Sequence, residues 1–155
     1  MNDLARHPQN ADPLLLPPRE APYVLNDVLE KIVYGFRAEL IFNLSDCFLR
    51  FGVDIDTDTI TSQFQPSPFR GKGFRSIRNA KPWKKYVGKE CGWTWFAWNQ
   101  QGYLDSVLMS FDGIEPNVLL HTIGSSIEVF MISLVEKSSV PGTIRNGRRA
   151  SKAKR

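Results

Sequence analysis

Along residues 25–33 the apolar side chains Leu25, Val28, Leu29, Ile32 and Val33 recur at i, i+3, i+4, i+7 and i+8. That spacing predicts an amphipathic helix with one apolar face. Gly35 stands where a helix C-cap would end it. Beyond it the pattern shortens and changes period. Residues 38–44 and 47–54 read as two strands joined at Ser45-Asp46, and 59–64 as a third strand after the turn residues Asp56-Thr57-Asp58. Residues 91–98 and 103–111 form an aromatic pair of strands around Asn99-Gln100-Gln101-Gly102. Residues 118–122 and 127–135 form a further apolar pair around Gly124-Ser125-Ser126. Short links between successive strands favour antiparallel pairing. The expected fold is α+β: an N-terminal amphipathic helix packed on a mainly antiparallel sheet of about six or seven strands.

Both ends of the chain lack this patterning. Residues 1–22 carry five prolines, which remove backbone donors and disfavour helix, so 1–22 is expected to be a disordered arm. Residues 137–155 are polar and basic with little to bury, and are expected to be a disordered tail. A single domain over 23–136 remains, long enough to build its own core.

Charge changes the picture of the surface. Residues 1–63 hold five basic and ten acidic side chains, and residues 90–136 hold six acids and no Lys or Arg. The positive charge is confined to residues 64–89, with eight bases and no acid, and to the tail, with seven bases. The sequence pI of about 9.2 therefore misdescribes the body, which is acidic. No apolar run approaches the roughly 18 residues a membrane span needs, and Leu14-Leu15-Leu16, followed by Pro17-Pro18, is too short for a signal-peptide core, so no secretory leader is expected. A cytoplasmic protein with no membrane attachment is expected. Cys47 and Cys91 form no Cys-x-x-Cys pair and have no nearby histidine, so free buried thiols are expected. No nucleotide loop, zinc motif or serine-hydrolase elbow is present, and no cofactor is implied.

Three groups of residues could carry function. Trp93 and Trp95 share one face of their strand with Ala97, while Thr94, Phe96 and Trp98 share the other. Rings on both faces fit a doubly buried strand or an aromatic recognition surface made by Trp93, Trp95 and Trp98 with Asn99, Tyr103 and Asp105. Residues 69–89 interleave aromatics and cations: Arg70, Lys72, Phe74, Arg75, Trp83, Lys84 and Lys85 among them. That is the make-up of a single-stranded nucleic-acid surface. It is equally that of a loop anchored by Phe74 and Trp83 whose charge docks on the acidic body. Asp54, Asp56 and Asp58 alternate, and three hard oxygens on one side could hold Mg²⁺ or Ca²⁺ for a hydrolase. The EF-hand pattern fails, since Thr59 and Gln65 occupy its Gly and Glu positions.

Gly88-Lys89, Trp93-Thr94-Trp95, Asn99-Gln100-Gln101-Gly102-Tyr103 and Asp105, preceded by the acidic turn Asp56-Thr57-Asp58, resemble a family of small bacterial proteins of unknown function. The resemblance covers about residues 25–135. It implies no activity, and an association with toxin-neutralising immunity proteins is the only role it suggests. With no convergent nucleophile, base or metal set in the sequence, the expected function is a non-catalytic protein-interaction domain, immunity-type in its narrower form. Single-stranded nucleic-acid binding through 69–89 and metal-dependent hydrolysis through Asp54, Asp56 and Asp58 stand as alternatives.

Overall fold

The computed structural model describes residues 16, 17 and 20–133. The expected disordered tail lies outside them, as does most of the expected N-terminal arm. Ten strands follow one another: β1 (Tyr23–Val24), β2 (Asp27–Val33), β3 (Phe36–Asn43), β4 (Phe48–Asp54), β5 (Thr59–Gln65), β6 (Arg75–Ser76), β7 (Glu90–Trp98), β8 (Leu104–Phe111), β9 (Val118–Ile123) and β10 (Ser126–Met131). They form two five-stranded antiparallel sheets, β1-β7-β8-β9-β10 and β5-β4-β3-β2-β6. The inner faces of both sheets supply one core, in which Leu40, Phe42 and Phe51 meet Met109, Phe111, Leu120 and Ile127.

The α+β expectation is corrected: the described residues contain no α-helix, and the fold is mainly β. The segment expected to be a helix is β2, paired with β3 in a hairpin. Tyr34 and Gly35 both have positive φ, 51° and 87°, so this dipeptide is a tight hairpin turn, and Gly35 caps no helix. The helical spacing arose because β2 is covered on both faces. Val28 and Glu30 lie opposite Phe42 and Leu40 on the core side, and Leu29 lies opposite Ile41 on the other. An acid at the inward position 30 erased the alternation that marks a strand.

The basic stretch dresses the outer face of the second sheet. Phe69 packs edge-on against Phe48 on β4 at 5.1 Å and against Phe74 at 4.8 Å. Lys31 on β2 lies 5.7 Å from the centre of the Phe74 ring. Ile41 points to this same outer face and is wholly buried, which a bare sheet face would not give. The chain then runs to the end of the sandwich, where a 3-10 turn, Trp83–Lys85, inserts Trp83 edge-on against Phe42 at 5.2 Å. Tyr86 lies against Phe111 at 5.0 Å. The Gly88 N–H donates to the Leu25 carbonyl and the Leu25 N–H to the Lys89 carbonyl, which locks this plug to the start of β2. Ahead of β1, Leu16 packs on the core and the Tyr23 hydroxyl donates to the Pro17 carbonyl at 2.7 Å.

Candidate functional site

The β7–β8 hairpin separates its rings by register. Thr94 and Phe96 pair with Met109 and Val107, whose side chains are in the core, so Trp93, Trp95 and Ala97 face outward. A bulge between Cys91 and Thr94 is fitted by Gly92, where a Cβ would lie 2.7 Å from the Gly113 carbonyl oxygen and 2.9 Å from Ser110 Oγ. That close approach leaves Ser110 bonded to the Trp93 N–H at 2.6 Å, with the indole standing in solvent. A second bulge before Trp98 turns that ring back beside Phe96, 6.3 Å away. Asn99 builds the turn: its Oδ1 accepts the Gln101 and Tyr103 N–H groups at 2.9 and 3.1 Å.

Register then extends the outward face across four strands. Trp95 lies opposite Leu108, Leu108 opposite Leu119, and Leu119 opposite Phe130. Trp93, Trp95, Ile123 and Phe130 are exposed on this face. Beside this apolar row runs a polar one, Ser106, His121 and Glu128, which Ala97 ends on β7. Sequence reasoning found the two tryptophans of this face and missed Leu108, Leu119, Ile123 and Phe130, because their shared face exists only through pairing of strands distant in the chain.

The polar row invites a nucleophile reading, which its hydrogen bonds argue against. His121 Nδ1 lies 3.0 Å from the Asp105 carbonyl and 2.8 Å from Ser106 Oγ. A carbonyl can only accept, so the tautomer that satisfies the Asp105 contact has its proton on Nδ1, and the serine hydroxyl gives its own hydrogen to Asp105 Oδ1 at 2.9 Å. In that tautomer Nδ1 has no lone pair with which to take the Ser106 proton.

A family model of unknown function, DUF6334, matches residues 23–136. The chain belongs to this family. The match spans all ten strands of the sandwich, so the outer face of β7–β10 lies within the region that defines DUF6334. No curated protein and no solved structure matches the chain. The family description assigns no catalytic activity.

The other two candidate groups hold different geometry. Asp54 Oδ1 accepts the Asp56 N–H at 3.0 Å, and Asp58 Oδ1 accepts the Ser125 N–H at 2.8 Å. Two of the three carboxylates are thus engaged with backbone donors of different turns. Among the described residues no group of three or more His, Cys, Asp or Glu side chains is placed to hold a metal. In the basic stretch Trp83 is 2% exposed and Phe74 is packed on Phe69 and near Lys31, so neither offers an open ring face as a base platform would. Arg75 is held on Glu30, whereas Lys84 and Lys85 are exposed. Arg70 borders a surface depression of about 550 Å³ with Arg50, Gln63 and Gln65. Among the described residues no helix is long and apolar enough to cross a membrane.

Cys47 and Cys91 are both buried. Burial, with smaller contributions from Cys47 and Glu90, pushes the Cys91 thiol up to about 12. The attacking species in alkylation is the thiolate. Iodoacetamide at neutral pH is therefore expected to leave both cysteines unmodified in the folded protein and to modify both in denaturant. Modification of Cys91 in the native state, read by mass spectrometry, would show that the β1–β7 edge opens.

Proposed function

We propose that this domain is a non-catalytic protein-interaction module that binds its partner on the outer face of the β7–β10 sheet. The observation that carries the reading is the apolar row Trp95, Leu108, Leu119 and Phe130, open to solvent at both ends and bordered by the polar row Ser106, His121 and Glu128. An aromatic centre with a hydrogen-bonding rim is the anatomy of a protein-binding patch. The contrast between the two sheets supports it: the second sheet has its outer face dressed by residues 69–74 of its own chain, and the β7–β10 face keeps its large rings exposed. Neutralisation of a protein toxin is the narrower form of the proposal, and the acidic body of the domain is what favours it.

A photo-reactive phenylalanine at position 95, introduced into the full-length chain in its native cell, identifies the partner by cross-linking. The purified complex is then titrated. Trp95→Ser with Phe130→Ser is expected to weaken it at least about ten-fold, since central aromatic anchors contribute 2 kcal/mol or more. An unchanged thermal midpoint for the doubly substituted protein shows that the loss is local. A complex indifferent to both substitutions sinks the proposal, as does the absence of any cross-linked protein.

A further inference from the structure

Among the described residues four hairpin turns lie at one pole of the sandwich, opposite the Trp83 plug, and the β3–β4 turn at 44–47 lies at the other. The four are the β2–β3 turn at Tyr34-Gly35, the β4–β5 turn at 55–58, the β7–β8 turn at 99–103 and the β9–β10 turn at Gly124-Ser125. Three of them are tied into one platform. Asp58 accepts the Ser125 N–H through its carboxylate at 2.8 Å and the Thr122 hydroxyl through its carbonyl at 2.6 Å. The Arg37 N–H donates to Ser126 Oγ at 3.1 Å, and its guanidinium donates to the Ile127 carbonyl at 2.8 Å. The fourth turn joins through Thr122, whose hydroxyl also lies 3.4 Å from the Asp105 carbonyl.

This pole exposes an apolar surface that packing does not account for. Tyr34 is 95% exposed and Ile55 76% exposed, and Phe36, at the far side of the Tyr34-Gly35 turn, is exposed as well. Tyr34 is the more telling because it occupies a left-handed position, φ 51°, that Asn, Asp or Gly fills at lower cost. A bulky ring held there without burial gives the fold nothing.

The charge of the same pole is one-sided. Asp54, Asp56 and Asp58 crown one turn, and Asp105 and Glu128 flank the two turns of the other sheet. Among the described residues the cations near these hairpin ends are already engaged: Glu30 and the Ile127 carbonyl hold Arg37, and Glu39 holds Lys31. Carboxylates so placed repel phosphate, whether of nucleic acid or of a lipid surface, and attract lysine and arginine.

We infer that the hairpin pole is a second docking surface, separate from the β7–β10 face, built for a protein surface that sets lysine or arginine side chains around an apolar centre. Tyr34 and Ile55 enter that centre, and Asp54 and Asp56 meet the surrounding cations. The rigid sheets carry the turns and fix their spacing, as in other sandwiches that bind through the loops of one end.

The test is a selection of a random-peptide display library on the immobilised full-length chain. Enriched peptides are expected to combine Lys or Arg with aromatic or branched aliphatic residues and to lose affinity as salt is raised. Tyr34→Ser with Ile55→Ser is expected to weaken the best of them about ten-fold or more, and so is Asp54→Asn with Asp56→Asn. Asparagine keeps the side-chain oxygen that accepts the Asp56 N–H, so the turn survives while the charge goes. Enrichment of acidic or uncharged peptides overturns the inference. So does no enrichment, or binding that neither pair of substitutions alters. Binding that is lost in Trp95→Ser and kept in the pole variants also overturns it, while leaving the sheet-face proposal standing.

Discussion

Trp83→Ala is expected to destabilise the domain by about 3–5 kcal/mol, the range for emptying a buried aromatic site. Its indole is 2% exposed and packs edge-on against Phe42. Phe42 in turn touches Phe51 on its own sheet and Phe111 on the other. The ring therefore closes a cluster that draws on both layers, and alanine would leave a void that the paired strands cannot collapse to fill. The loss should be felt along the chain as well, because Gly88 and Lys89, just past the turn bearing Trp83, are hydrogen-bonded to Leu25 ahead of β2. Equilibrium unfolding in denaturant measures the effect as a lower midpoint with an unchanged slope. Lys84→Glu, one residue along and exposed, is expected to stay within about 0.5 kcal/mol of the parent. Near-parental stability for Trp83→Ala would mean that this ring is an exposed platform after all, as the composition of residues 69–89 allows.

That contrast shows where the sequence was readable and where it was not. The alternation of Trp93, Thr94, Trp95 and Phe96 gave the two faces of β7 correctly, because a strand's side-chain period is a local property. Hairpins at Asp56-Thr57-Asp58 and Gly124-Ser125 were legible for the same reason: turn chemistry is local. The helix expected over 25–33 failed on a long-range fact. Glu30 occupies a core-side position because Arg37 and Arg75 reach it, the latter 45 residues away. Without those partners in view, the inward position read as polar and the period read as helical. Phe74 and Trp83 present the same difficulty, since rings among cations describe a stacking surface or a buried anchor equally well until burial is known. The apolar row on the β7–β10 face and the pole of hairpin turns are further removed still. Each is assembled from strands whose register no local pattern states.

The second large effect is expected at that same glutamate. Glu30 is 3% exposed, its Oε2 accepts from Arg37 Nε at 2.9 Å, and its Oε1 accepts from Arg75 Nε at 2.7 Å. Arg37 is itself largely shielded and also donates an Nη1 hydrogen to the Ile127 carbonyl of β10. Glu30→Ala strands that guanidinium between the sheets, and a loss of about 3 kcal/mol is expected, as for breaking a buried ion pair from one side. Arg75 is mostly exposed and relaxes into water, which keeps the figure from rising further. The milder Glu30→Gln isolates the charge and makes the effect pH-dependent. Burial pushes the Glu30 carboxyl up, but the hydrogen bonds and charges of Arg37 and Arg75 together outweigh it and hold the group below the ordinary glutamate value. A carboxyl with a folded pKa below its unfolded one stabilises the fold fully above the unfolded value. That contribution is lost as pH falls through the folded value. The parent should therefore exceed Glu30→Gln in stability at neutral pH, and the gap should close on acidification through and below the normal carboxylate range. Denaturant midpoints for the two proteins across a pH series measure it. A gap that stays constant down that series would mean that Glu30 acts by shape and hydrogen bonding alone, with its charge contributing nothing to holding the two sheets together through Arg37.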